Sequence, residues 1–455
     1  MQEFSPDPDA SPGAGATGVD RGIHRDIDRS ADISPELAPF ARWDERLVAS
    51  VQEIKLLSSL SWPREVQLDF LQDWRAGKPR LPEVSYERQS HADTLHALDA
   101  LMAEVDTDHP LGRYLYSTAR SYHDAARLLE ARGTAAMTAR SLSLYGKPGD
   151  AIAGGTVHNI DAARHFIEVT AAYEQEYSLH EVDYCLSAEV LQRELSERIR
   201  KVIDRHAIEV VIDENLASKA AAGATRIRLR AGTPFSEYDL NQLLEHEAFV
   251  HSLTAINGRE QPHFRSLSLG APRTTGTQEG LATFAELVTG AVDIRRLQRI
   301  ALRIIAIDMA LRGADFIDVF RYFLDAGQTE VESFNSAMRI YRGAPLTGGS
   351  AFTKDTVYLH GLMEVHTFFR WALKHNRLRL CRHLFAGRMT VGDVVRLAPL
   401  FEAGDIAAPL YLPPWMLRTN GLAAYLAFSV FANRIRISEL GANYSFASDD
   451  SDPLR

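Results

Sequence analysis

The chain has little cysteine: among 455 residues only Cys185 and Cys381 occur, far apart and with no CxxC spacing. Neither a disulfide framework nor a cysteine-built zinc site is expected, so any metal chemistry falls to histidine and carboxylate. Positive charge is also in short supply. Fifty Lys and Arg face sixty Asp and Glu, for a net charge of -10, whereas nucleic-acid and anionic-membrane binders concentrate basic residues. No nucleic acid or membrane partner is expected. The longest apolar run, 422–432, falls short of the roughly 20 residues a bilayer needs and reads as a buried helix. The opening segment MQEFSPDPDASPGAGATGVDRG has no basic stretch followed by an apolar one; it does not resemble a secretory signal, and a cytoplasmic location is expected. A P-loop, a GxGxxG after a strand and a GxSxG elbow are missing too, which leaves nucleotide and serine-hydrolase readings unsupported.

What is present divides the chain. Residues 1–33 are rich in Pro, Gly, Ser and Asp and cannot bury enough apolar surface to offset the entropy of ordering, so a disordered tail is expected. Ser34-Pro35-Glu36 then reads as a helix start, with Phe40, Leu47, Val51 and Ile54 behind it and Leu95, Leu98, Leu101, Met102 and Val105 repeating the helical spacing. Near residue 180 the pattern turns to alternation at Val182, Tyr184 and Leu186, an apolar run from Ile208 to Ile212, and Ile227 and Leu229 between Arg226, Arg228 and Arg230. Three strands are expected. Ser236-Glu237-Tyr238-Asp239 opens a helix predicted to run through at least His251, and another starts at Thr390 with Asp393. The organisation is a tail 1–33, a helical part 34–180 and a metal-bearing part 181–455, or 34–455 as one unit. The class is α+β, mainly helical.

The chemistry concentrates in His246-Glu247-Ala248-Phe249-Val250-His251, an HExxxH on the predicted helix, whose chance occurrence is about 0.04 per chain of this length. Zinc hydrolases place two His on one helical face and a Glu beside the first, so that the carboxylate takes a proton from the water the metal activates. The usual spacing is HExxH. In an α-helix residues five apart are offset by about 140°, so His246 and His251 converge only if the helix carries a π-bulge. Downstream, Thr275-Gly276-Thr277-Gln278-Glu279-Gly280-Leu281-Ala282 opens an apolar helical stripe. Glu279, expected in its first turn, suits a third metal ligand, and Gly280 admits a neighbouring backbone. Two His and one carboxylate leave a position open for water, as catalytic zinc requires. Glu286, one heptad on, competes for that role, or orients a His, or is simply solvated.

HEAFVH, then Asn257-Gly258-Arg259-Glu260-Gln261-Pro262, then TQEGLA resemble the QEGLA-motif family, which in bacteria carries the label of a flavohemoglobin expression-modulating protein. Its eukaryotic relatives are the microtubule-associated tyrosine carboxypeptidases, zinc metallopeptidases that remove a C-terminal tyrosine from tubulin. The matched series runs from about Leu144-Tyr145-Gly146 to Lys354-Asp355 and Tyr358-Leu359-His360-Gly361. The resemblance implies zinc held by His246, His251 and Glu279, with Glu247 as catalytic base, in a zincin-like core whose small sheet packs against the HExxxH helix. It does not carry tubulin over as substrate.

The leading reading is therefore a zinc carboxypeptidase acting on a peptide or protein C-terminus. Tyr358 and His360 are candidates to stabilise the oxyanion, and both also fit ordinary helix packing. The substrate carboxylate needs a cation; Arg265, Arg273 and Lys354 lie in neighbouring segments. Arg228, with Arg226 and Arg230, reads as a solvated strand face or as the edge on which an extended peptide docks. His360, Glu364 and His366, and separately His158 and His165, read as packed or surface helix. Two other functions remain open: an Fe(II) enzyme on the same three ligands, against which Glu247 argues, and a non-catalytic regulator that keeps the fold.

Overall fold

The computed structural model describes residues 33–434 except 153, 177–185, 215, 217, 218, 224 and 433. The expected tail thus lies outside the described residues apart from Ile33, as do Val182 and Tyr184 of the first expected strand. The molecule is mainly helical with one small sheet. Strand β1 (Glu209–Asp213), β2 (Ala220–Ala222) and β3 (Arg226–Arg230) lie in the order β1-β3-β2, with β1 parallel and β2 antiparallel to β3. Ile227 and Leu229 turn into the core while Arg226 and Arg228 face solvent, as the alternation predicts. Because β3 is the central strand it offers no free edge, so the docking-edge expectation does not hold. Its arginines are engaged sideways instead, Arg226 with Glu209 and Arg228 with Asp213. Leu186 forms an isolated bridge with Phe235.

Periodicity located the helices well. Helix Ala38–Ser50 buries Phe40 and Leu47, and Ala92–Glu104 buries Leu95, Leu98 and Leu101. Ser34 does not cap the first of them: its carbonyl accepts from the N–H groups of Leu37 and Ala38 in a turn, and the helix begins at Ala38. At Val391–Arg396 the Thr390–Asp393 capping box is present in full. One reading fails on burial. Residues 422–432 lie in helix Thr419–Ala432, but only Leu422 and Leu426 are buried, while Phe428 is 72% and Phe431 63% exposed. A sequence apolar all round carries no register to say which face docks.

The largest hydrophobic cluster runs from Leu37 in the first helix to Leu426 in the last and encloses the elements that carry the histidines. Residues 237–259 form one continuous helical rod, here called the histidine helix. It opens as the α-helix Glu237–Gln242 under a Ser236–Asp239 capping box, becomes a π-helix over Leu243–Ser252, and returns to α over Leu253–Arg259. The glutamate helix, Thr275–Thr289, packs beside it and crosses helix Val357–Lys374 at very short range. A Cβ on Gly280 would lie 2.2 Å from the Gly361 carbonyl carbon, and one on Gly361 would lie 2.1 Å from the Gly276 oxygen. The glycine of the EGLA segment is therefore required by helix contact, and that contact fixes the height of Glu279.

Candidate metal centre

Five-residue spacing and π geometry answer one another. In a π-helix the hydrogen bonds run i to i+5, so residues five apart return to nearly the same face. A ten-residue segment, rather than a single bulge, adopts it and brings the two imidazoles together, with ring centres 4.8 Å apart and planes at 82°. His246 is buried and His251 half-buried. Among the described residues, ligand atoms of His246, Glu247 and His251 all lie within 4.8 Å of one another.

Glu279 also approaches the pair. Its Oε2 stands 3.4 Å from His246 Nε2 and 3.5 Å from His251 Nε2. Bonds of about 2.0–2.2 Å at tetrahedral angles set ligand atoms roughly 3.3–3.5 Å apart, so these separations fit a zinc-sized ion among the three atoms. Glu279 occupies the second turn of its helix instead of the first, because the helix already starts at Thr275 behind a short 3-10 turn, Pro272–Thr274.

A second carboxylate works on the other side of the imidazole. Glu286 is fully buried, and its Oε1 is 2.5 Å from His246 Nδ1. Arg296, on helix Ile294–Leu311, clamps it from behind, donating from Nη2 to Oε1 at 2.6 Å and from Nε to Oε2. Of the three roles open to Glu286, this geometry supports the orienting one: accepting an Nδ1–H leaves Nε2 as the lone-pair nitrogen facing Glu279. Burial disfavours a charged imidazole, but the hydrogen bonds it donates to Glu279 and Glu286 outweigh it and raise His246 to about 10. Without a metal, this arrangement favours the protonated imidazole. Burial likewise opposes ionisation of Glu279 and Glu286, and their cationic and imidazole partners win, leaving both below the ordinary range, Glu279 well below. Glu245, beside His246 in the π segment, has no such partner among the described residues: its Oε2 is buried without a hydrogen bond, and burial raises the carboxyl to about 7.

The proposed substrate cations fare unequally. Lys354 is buried and donates to Glu279 Oε1 at 2.9 Å, so it is spent inside the site. Arg273 pairs with Asp393 at 2.7 Å, Arg265 lies exposed at the start of a 3-10 turn, and Arg228 sits on the outer face of the sheet. Tyr358, at the start of helix Val357–Lys374, has the Lys354 ammonium 5.0 Å and the Arg303 guanidinium 5.1 Å from its ring centre. Arg303 and Arg339 both bind Asp355. Arg388 donates to the His251 carbonyl at 3.2 Å. Sequence reasoning missed Arg296, Asp355 and Arg388. Their partners are tens to hundreds of positions away, and only the KD pair Lys354-Asp355 offered a local sign. A cavity of about 720 Å³ lined by Lys219, Ser236, Asp239, Asp293 and Arg295 contains none of the clustered residues.

Comparison with known families bears on this cluster directly. The profile of the microtubule-associated tyrosine carboxypeptidase family matches residues 69–434. The chain belongs to that family. The match takes in every element described around the two histidines and brings with it a carboxypeptidase-like function. No match was found among curated proteins. Among the described residues, no helix is long and apolar enough to cross a membrane.

Proposed function

We propose that this family member is a zinc-dependent carboxypeptidase that removes the last residue of a peptide or protein chain, with zinc held by His246 Nε2, His251 Nε2 and Glu279 Oε2. The observation that carries the reading is the pair of 3.4 and 3.5 Å separations from one carboxylate oxygen to both imidazole nitrogens. When bound there, zinc supplies a Lewis acid and brings the pKa of water toward about 7. The protein's part is positional. Glu286, held by Arg296, fixes the His246 tautomer, and Lys354 fixes Glu279. Glu247, next to His246, accepts a proton from the attacking water and returns it to the departing amine nitrogen, so the same carboxylate serves as base and then acid. Tyr358 offers its phenol to the developing oxyanion, with Arg303 and Lys354 beside its ring keeping that region positive. The family's name supports tyrosine as the first residue to test at the cleaved end.

The test pairs metal analysis with catalysis. Wild-type protein and Glu247→Gln should each carry about one zinc per chain, and only the wild type should release the terminal residue from a C-terminally diverse peptide library. Zinc without turnover of any peptide would overturn the peptidase reading, and iron in its place would favour the oxygenase. Loss of zinc from Glu247→Gln would move Glu247 into the ligand set.

A further inference from the structure

The cations around Tyr358 can be matched to partners one by one. Arg296 is held by Glu286, Arg303 and Arg339 share Asp355, and Lys354 is held by Glu279. On the other side of the histidines, Arg388 donates to the His251 carbonyl. Arg342 is different. Its Nε is buried without a hydrogen-bond partner, and among the described residues no carboxylate pairs with its guanidinium. The side chain is half-buried and lies over the Phe352 ring, 5.1 Å from its centre.

Its surroundings tie it to the metal centre. Burial and the neighbouring Arg339 lower the guanidinium to about 10, with Asp355, Tyr358 and Tyr145 acting the other way. It remains a cation at neutral pH. Burial raises the Tyr145 phenol to about 12, while Lys354 and Arg342 pull it down and Glu279 pushes it up. Tyr145 thus feels both Arg342 and the carboxylate that faces both histidines, and its ring meets Phe352, the ring that Arg342 covers, edge-on at 5.6 Å. A half-buried guanidinium with a buried, unbonded Nε and no carboxylate in contact is unfavourable unless something else supplies one, and its planar fork matches a carboxylate in bidentate fashion.

We propose that Arg342 receives the free C-terminal carboxylate of the substrate, beside Tyr145, and so confines the site to chain ends. The proposal rests on the carboxypeptidase reading and accounts for a feature that reading leaves unexplained. It also replaces the cations suggested by sequence, since Lys354 and Arg273 already hold carboxylates and Arg265 has none of these neighbours.

The experiment is a binding titration on zinc-loaded full-length protein with one fluorescent peptide ending in tyrosine, prepared as free acid and as C-terminal amide, with cleavage followed in parallel. Wild type should bind the acid about 100-fold more tightly than the amide. Arg342→Gln should abolish that preference while keeping its zinc and its melting temperature; Arg342→Lys should retain about tenfold. Equal binding of acid and amide by wild type would overturn the proposal, as would full preference in Arg342→Gln. A drop in melting temperature with the preference intact would assign Arg342 to packing over Phe352. If Arg342→Gln does not fold, the wild-type acid and amide comparison with Arg342→Lys still decides. An acid preference that depends on Arg342 without cleavage by any form would sink the peptidase reading alone.

Discussion

Glu279 and Glu286 sit one heptad apart on the same face of the same helix, the first half-buried, the second fully buried and both beside His246, yet they meet it from opposite sides. Glu279 faces Nε2 and is backed by Lys354; Glu286 meets Nδ1 and is backed by Arg296. Lys is a compact charge on a flexible stem, and it leaves Glu279 Oε2 turned toward both histidines. Arg, with a rigid fork, holds both oxygens of Glu286 and leaves it one direction in which to act. Identical side chains thus acquire different roles from the cation behind each. Asp44 supplies the contrasting case: it is buried, accepts from the backbone and hydroxyl of Ser266, and pairs with no cation among the described residues. Burial raises it to about 7 despite the hydrogen bonds from Ser266.

The largest break in this comparison should come from Glu279→Gln. It removes the proposed charged ligand and strands Lys354, and zinc affinity measured by chelator competition should fall roughly a thousandfold. Glu286→Gln should cost less, about 10–100-fold in affinity, because zinc keeps its three ligands and only the His246 orientation loosens. An equal loss in the two variants would erase the distinction between them. Gly280→Ala tests the framework that sets their height. Its methyl meets the Gly361 backbone, and denaturant unfolding should show a loss of about 1–3 kcal/mol.

Asp44 gives a pH signature of defined sign. Its folded pKa lies above the unfolded value, so between about pH 4 and 7 the native state binds more protons than the unfolded one, and stability falls as pH rises. The slope is at most about 1.4 kcal/mol per pH unit. Asp44→Asn should flatten that segment of the stability profile, and an unchanged profile would contradict the assignment. Neither Glu279 nor Glu286 behaves this way, since each is held ionised by its cation. In the metal-free protein they favour a proton on His246, so zinc binding should release it, and affinity should rise with pH through the neutral range.

These roles differed in how far the sequence disclosed them. The convergence of His246 and His251 was legible because helical register is local: a five-residue interval either diverges or demands a π segment, and the segment is there. Gly280 was legible for the same kind of reason, since an unneeded Cβ beside a candidate ligand implies a close neighbour. The partner, Gly361, was only a motif letter. Strand β3 announced itself by alternation, but its central place in the sheet depends on pairing with β1 and β2, which alternation does not encode. Helix Thr419–Ala432 was located correctly and its burial misjudged, because apolarity without periodicity names no face. The choice among cations was the least legible. Lys354, Arg273 and Arg342 look alike in sequence, and only the carboxylate each one meets, or fails to meet, separates them.

The central claim is that Glu279, rather than Glu247 or Glu286, completes the metal site. Anomalous diffraction at the zinc edge from zinc-loaded crystals tests it most directly. One peak within about 2.0–2.2 Å of His246 Nε2, His251 Nε2 and a Glu279 oxygen is the predicted result. A peak bound by Glu247 in place of Glu279, or no peak between the two histidines, would contradict it.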